Sequence, residues 1–406
     1  MGHKELFNTV KRGFKQFKYL YRQMLEYIVI KKAYKNLRKG KTKRKEIKYI
    51  DEHLDEEIEF MRIMILNTKP PGVPVDNPEL AYKPKKRTPR FIKERGKVRT
   101  IYMPEIHEQW LHHIIIVVLA PIISATAYKY SCGSFPKRGA HYGKKAIVKW
   151  IKAGKAIRNF GKIDIRHFYD SIRHDVLLEE LQIRIKDEWF LYIIMLCFKG
   201  FKKGIPLGFY ISQWLANYLL EPLDYFITEV LGFKNFQRYM DDMVFFDDNK
   251  KRIHALIIEI IKFIGRRFRL KLKRTYQVCR FIYTKKNGKT IGRPLDFMGF
   301  IFYRDKVLIR KHIMLAATRI AKRMKKAKEE GRRYYEEHIR RLISYMGWFK
   351  HSSTYACYLK YIKPCVNVGK LKKIISKIDR RRNKDDAMER REMRGTSAGA
   401  AAYSAA

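Results

Sequence analysis

Cysteine is scarce and unpatterned: Cys132, Cys197, Cys279, Cys357 and Cys365 make an odd total of five, with no Cys-x-x-Cys pair. This excludes a disulfide framework and a cysteine-based zinc module, and it fits a reducing compartment. No charged-then-apolar leader opens the chain. Its longest purely apolar run, residues 114–120, is too short to cross a bilayer. A cytoplasmic protein without membrane contact is therefore expected. Internal repeats are absent. Negative charge is the other deficit: 40 Asp and Glu face 89 Lys and Arg, for a formal charge of +49.

That excess is far beyond what solubility needs and is spread over nearly every segment. A compact chain so charged repels itself unless a polyanion is bound for much of its life. Tyrosines and phenylalanines are plentiful among the lysines, as suits groove walls that hold a nucleic-acid backbone and stack bases. Any single basic cluster, such as residues 41–48, reads equally well as a solvated helix face, but the global excess does not.

Residues 1–83 read as a basic helical region, with the one sizeable acidic run (residues 51–59) forming a helix against basic neighbours. Pro70, Pro71, Gly72 and Pro74 break that region from the rest of the chain. Residues 84–304 alternate short strands with helices. Within them Asn287 and Gly288, preceded by Phe281, Ile282 and Tyr283, signal a hairpin. Residues 305–378 are helical again, with Arg319, Lys322, Arg323, Lys325 and Lys326 on a basic face. From Asp379 a charged, then alanine-rich stretch predicts a disordered tail.

Within the acid-poor background, Tyr239, Met240, Asp241 and Asp242 put two adjacent carboxylates at the tip of a tight β-hairpin, ahead of the apolar run Met243, Val244, Phe245 and Phe246. Adjacent like charges destabilise a turn unless solvent or cations neutralise them. A solvated turn would account for the pair alone. Upstream, Ile163 and Ile165 flank Asp164 in the alternation of a half-buried strand, which can carry a third carboxylate to the same place. Three aspartates make an all-oxygen site suited to Mg²⁺. Two such ions would activate an attacking hydroxyl and stabilise the leaving oxygen of an in-line phosphoryl displacement, predicting nucleotidyl transfer.

These residues resemble the palm of a reverse transcriptase: Asp164 with Tyr169 is similar to the first catalytic motif, and residues 239–242 to the catalytic hairpin. Between them, residues 204–217, with Leu207, Gly208, Ser212 and Gln213, look like the template and nucleotide positioning loop and its helix. Residues 93–101 resemble the basic fingers hairpin, and residues 131–141, with Gly133, Arg138 and Gly139, the next fingers motif. Residues 295–300 are similar to the primer grip, and residues 344–348 with His351 to a thumb segment. In all, residues 30–365 are covered. The resemblance implies an α+β right-hand polymerase: fingers and palm with an antiparallel sheet backed by helices, and a helical thumb tracking the duplex.

The site residues implied are Asp164, Asp241 and Asp242 as catalytic metal ligands for two Mg²⁺ ions, with the Ile165 carbonyl a further donor. Arg99 would meet the incoming triphosphate, and Tyr169 would pack under the sugar and exclude a 2′-hydroxyl. Leu207, Gly208 and Gln213 would line the substrate side of the loop. His167 and His174 read as local hydrogen-bonding residues, because Mg²⁺ prefers oxygen. Lys271 and Lys273 both suit the family's proton-donating lysine and are not separable by spacing.

Most relatives carry Gln-Gly in the positioning loop, whereas Leu207-Gly208 followed by Ser212-Gln213 resembles the enzymes of diversity-generating retroelements, which misincorporate opposite template adenines. Leu207 as ordinary variation in an apolar loop is the alternative. Implied partners are a template RNA, the RNA–DNA hybrid, dNTPs and a small basic accessory protein. A phage-defence, retron or group II intron enzyme, or a catalytically silent RNA-binding scaffold, are the competing expectations.

Overall fold

The computed structural model describes residues 15–85, 87–94, 96–154 and 157–381. Two compact units share them: the first comprises residues up to 143 together with 155–278, the second residues 144–154 and everything from 279 onward.

In the first unit the chain enters through four helices, α1 (Leu20–Met24), α2 (Tyr27–Arg38), α3 (Lys45–Glu52) and α4 (Leu54–Leu66). The acidic run, expected as one helix, is split at His53 between the end of α3 and the start of α4; within it Asp51 binds Arg38 at 2.7 Å and Glu57 binds His107 at 2.6 Å. A two-stranded hairpin comes after them, β1 (Pro89–Glu94) and β2 (Lys97–Tyr102). Next is α5 (Ile106–Thr126), the one helix among the described residues long and apolar enough to cross a membrane. Its apolar residues close around Trp110, Leu111, Ile114, Ile115 and Leu119, which are all fully buried. Composition alone cannot separate such a core helix from a membrane span.

The sheet runs in the order β3 (Ser131–Cys132), β5 (Phe236–Tyr239), β6 (Asp242–Asp247), β4 (Asn159–Asp164) and β7 (Gln277–Arg280), with the unit boundary falling inside β7. β6 pairs antiparallel with both β4 and β5. The expected all-antiparallel sheet needs one correction, since β3 runs parallel to β5. Met243, Val244, Phe245 and Phe246 are all buried, the continuous apolar pattern of a central strand covered on both faces. Helix α6 (Ala140–Ala153) starts in this unit and, from residue 144, belongs to the second; α7 (Phe168–Ser171), α8 (His174–Gln182), α9 (Glu188–Leu196), α10 (Tyr210–Tyr225) and α11 (Lys250–Phe268) complete the mixed α+β arrangement.

The second unit opens with the predicted hairpin, β8 (Tyr283–Thr284) and β9 (Thr290–Ile291), turned at Gly288. Beyond it lies a three-stranded sheet, β10 (Leu295–Phe297), β11 (Phe300–Phe302) and β12 (Val307–Ile309). Its first turn uses Met298 and Gly299, both at positive φ, and a Cβ on Gly299 would lie 2.7 Å from the Trp348 ring. Helices α12 (Lys311–Glu329), α13 (Glu336–Lys350) and α14 (Tyr355–Tyr361) come next, and residues 368–381 are helical. The remainder of the expected tail, residues 382–406, lies outside the described residues, as does Arg95.

Candidate active site

Antiparallel register pairs Tyr239 with Asp242 and leaves Met240 and Asp241 as a two-residue turn. Met240 is held at φ 56°, a left-handed conformation that a non-glycine residue keeps only when its surroundings fix it. They do so here. The Met240 amide donates to the Cys132 carbonyl at 3.1 Å, and its carbonyl accepts from Arg238 Nη1 at 3.1 Å. Arg238 is itself 1% exposed. It forks onto Asp224 through Nε and Nη2 at 2.7 and 2.6 Å and donates to Asn217 Oδ1 at 2.9 Å.

Asp164, at the end of β4, lies directly opposite Asp242. One of its carboxylate oxygens, Oδ2, receives the Lys273 ammonium, and the Lys273 amide donates to the Asp164 carbonyl at 2.8 Å. The other, Oδ1, is buried with no hydrogen-bond partner. Asp241 is pushed up to about 6, first by burial and then by the negative charges of Asp164 and Asp242. Asp242 is also raised, chiefly by burial, with the Lys162 and Lys273 ammonium groups opposing.

Among the described residues no three His, Cys, Asp or Glu side chains close into an all-protein metal cage. Mg²⁺ does not ask for one, because it commonly takes one or two carboxylates and completes its shell with water and substrate phosphates. A buried carboxylate oxygen lacking a donor, beside two carboxyls that resist ionising, is a donor set that a hard cation fits. The bridge between Ile165 and Leu272 also leaves the Ile165 carbonyl out of its bonding: its two hydrogen bonds run from Arg166 N to Lys271 O and from Lys273 N to Asp164 O.

Tyr169 sits in α7, just after His167 at φ 45°. Its phenol is pushed upward by burial and then by the charge of Asp241, so ring and hairpin share one environment. The Tyr169 carbonyl accepts from Ile205 N at 2.9 Å, and Ile172 O accepts from Gly204 N at 2.8 Å, tying the loop at residues 204–208 to α7. His174 Nε2 meets Gly204 O at 2.7 Å, the local bonding role expected of it.

Leu207 is half-buried, and its carbonyl accepts from Tyr102 N at 2.8 Å. Gly208 stands at φ +101°, and a Cβ there would lie 2.1 Å from the Tyr102 carbonyl oxygen. Only glycine admits both the backbone angle and the contact. Gln213 is exposed, with Oε1 accepting from Ser134 Oγ at 2.7 Å. Arg99 lies exposed on β2, opposite Ile92, and its charge reaches the Tyr169 phenol.

Asp164, Ile165, Tyr169, Asp241 and Asp242 thus gather at one end of the sheet. Leu207 and Gly208 belong to a loop that reaches them through the Ile205–Tyr169 backbone bond, and Gln213 through Ser134, whose hydroxyl also meets Met240 Sδ at 3.5 Å. Sequence reasoning missed the support beneath: Asp224, Asn217 and Arg238. The available signal was a charged residue in the middle of a strand, at Arg238 between Gln237 and Tyr239. The two candidate lysines also separate, since Lys273 touches Asp164 whereas Lys271 offers its carbonyl to Arg166.

A sequence model of the family described as "Reverse transcriptase (RNA-dependent DNA polymerase)" matches residues 83–302. The chain is 23% identical over 149 residues to Protein YkfC of Escherichia coli strain K12, a match spanning 34% of this chain and 39% of that protein. Apo telomerase from Candida tropicalis, truncated from its C-terminal domain, aligns with TM-score 0.41 and 13% identity over 55% of each chain. Telomerase from Candida albicans in complex with a fragment of telomeric RNA aligns with TM-score 0.42 and 10% identity, over 68% of this chain and 56% of that one. The chain spans about half the length of these telomerases and less of YkfC.

Proposed function

Since the chain belongs to the reverse transcriptase family, we propose that it is an RNA-directed DNA polymerase that extends a primer on a template RNA with dNTPs. The observation that carries this reading is the buried Asp164 oxygen without a donor, beside Asp241 and Asp242, whose carboxyls are raised by burial and by the charge of Asp164. In this reading Asp164, Asp241, Asp242 and the Ile165 carbonyl hold two Mg²⁺ ions. When bound, these supply activation of the attacking hydroxyl and neutralisation of the leaving oxygen.

The chain's own groups do the rest. Arg99 offers a guanidinium to the incoming triphosphate, for which its forked donors are suited. Tyr169, partly buried and within electrostatic reach of Asp241, sets a steric floor under the sugar. The Gly204–Gly208 loop, fixed by main-chain bonds, holds the nascent pair in place, so geometry is imposed before reaction. A silent scaffold would have no need of these carboxyls, each of which is costly to bury.

The subtype rests on Leu207. Where relatives place a glutamine amide, this chain puts an alkyl group, and discrimination built on hydrogen bonds far exceeds what apolar fit achieves. We read the enzyme as one that copies template adenines loosely, as in diversity-generating retroelements. Defence, retron and intron enzymes are the alternative.

Incubating the purified protein with a defined RNA, an annealed primer, dNTPs and Mg²⁺ tests the first level. Incorporation is expected, with Asp241→Asn abolishing it while RNA affinity stays nearly constant; full activity in that variant removes the carboxylates from the chemistry. Sequencing the cDNA tests the second. Leu207→Gln should lower errors opposite adenine more than opposite other bases, and a wild type already faithful at adenine moves the defence or intron readings ahead.

A further inference from the structure

Within the second unit, α12 buries one stripe, with Ala317, Ala321 and Met324 all at 1% exposure or less. The next position on that stripe is Lys328, exposed. There the helix stops contributing to the core and instead edges a depression of about 710 Å³. Its rim carries five cations: Lys328, Arg332, Arg333, Lys363 and Lys370. Its floor is apolar, with Ile339, Val366 and Leu371 buried, and the Tyr334 ring lies in the wall.

No carboxylate lines this depression. Arg332 pairs with Glu330, whereas Lys328, Arg333, Lys363 and Lys370 have no ion-pair partner among the described residues. Four unneutralised cations converging on one concavity repel one another, and the arrangement gains most from a ligand carrying several negative charges. The apolar floor and tyrosine select further, since a free inorganic anion gains nothing from them. A phosphodiester strand with its bases free satisfies both halves: phosphates among the cations, a base face on the ring. Nearby α14 continues the same chemistry, with Tyr355 and Tyr361 exposed and Lys360 over the Tyr361 ring at 5.4 Å. A volume of this size holds a nucleotide or two rather than a duplex.

We propose that this depression is a second RNA site, separate from the carboxylate cluster, which grips a single-stranded step of the template RNA with a base stacked on Tyr334. The proposal rests on the reading of the chain as an RNA-copying enzyme, and adds where it holds its template outside the polymerase centre.

Fluorescence anisotropy with 5′-fluorescein U20 RNA, dT20 and a 20-base-pair RNA duplex tests it, on the full chain and two variants whose folding is checked by thermal melting. Arg333→Gln with Lys370→Gln should weaken U20 binding about tenfold and lower the log–log salt slope by roughly 1.4, the value for two lost phosphate contacts on a single strand. Tyr334→Ala should weaken U20 about tenfold with the slope unchanged, because stacking releases no counterions. If the tyrosine variant fails to fold, the neutralised pair, altered only at exposed positions, decides.

Unchanged U20 affinity in the variants overturns the proposal, as does a loss confined to the duplex or to dT20. A wild type that incorporates no dNTP while its variants still lose U20 affinity would fell the polymerase reading and leave this site standing.

Discussion

The carboxyl of Asp241 is pushed up to about 6 by burial and by its two acidic neighbours, so without a bound cation its ionisation works against the fold. An acid whose folded pKa exceeds its unfolded value of about 3.9 favours the folded state fully below that value, and this contribution is lost as pH rises through the folded pKa. Melting of metal-free protein should show it: Asp241→Asn is expected to raise the melting temperature by a few degrees at pH 7 and to leave it unchanged near pH 4. An equal shift at both pH values would mean that charge at this residue is not the cause. The proximity of Asp164, Asp241 and Asp242 was legible because two adjacent carboxylates mark a hairpin tip and a third ends an apolar strand, in a chain poor in acids. Arg238 and Asp224 were not, because their pairing joins a strand to a helix and exists only once both are packed.

The Tyr239–Asp242 hairpin, as an element, is held mainly from below. Asp224 and Arg238 are 2% and 1% exposed at the side chain, and the guanidinium also carries the Met240 carbonyl. Removing one charge of such a pair leaves the other buried and uncompensated, at a cost of about 3–5 kcal/mol. Asp224→Asn should therefore lower the melting temperature and abolish incorporation together. Replacing both residues with apolar ones, Asp224→Leu with Arg238→Met, should restore stability but not activity, since the turn still lacks its donor to Met240. Recovery of both would show that the guanidinium does not position the turn. Strand and helix identities at this scale could be read from periodicity. The parallel β3–β5 pair could not: β3 has only two residues, too few for a pattern, and its direction comes from tertiary packing.

For the molecule as a whole, charge is the dominant property. A protein of formal charge +49 binding a polyanion through dispersed lysines and arginines should show affinity that falls steeply with salt. Between 50 and 200 mM salt, the RNA dissociation constant is expected to rise by about three orders of magnitude, as for roughly six phosphate contacts. A nearly flat dependence would place recognition in base contacts instead. The α+β class and the order of its motifs were legible in the chain, because apolar periodicity and turn residues mark each segment. The division into two compact units was not, because the second unit takes in residues 144–154 from the middle of the first, and its last boundary falls inside β7, where no proline, glycine or change of composition announces it.

One backbone hydrogen bond, from Tyr102 N to Leu207 O at 2.8 Å, ties the positioning loop to the end of β2. A main-chain bond is indifferent to the side chain it carries, so the loop's path is fixed by Gly208 and by the peptide at 207, whatever residue that peptide bears. The bond itself therefore places no demand on the side chain at 207, whereas neighbouring position 208 admits only glycine. Under the proposed role of Leu207, a substitution there would alter copying accuracy in a single mutational step while this backbone tie stays in place. In that reading the error rate would be open to selection in either direction.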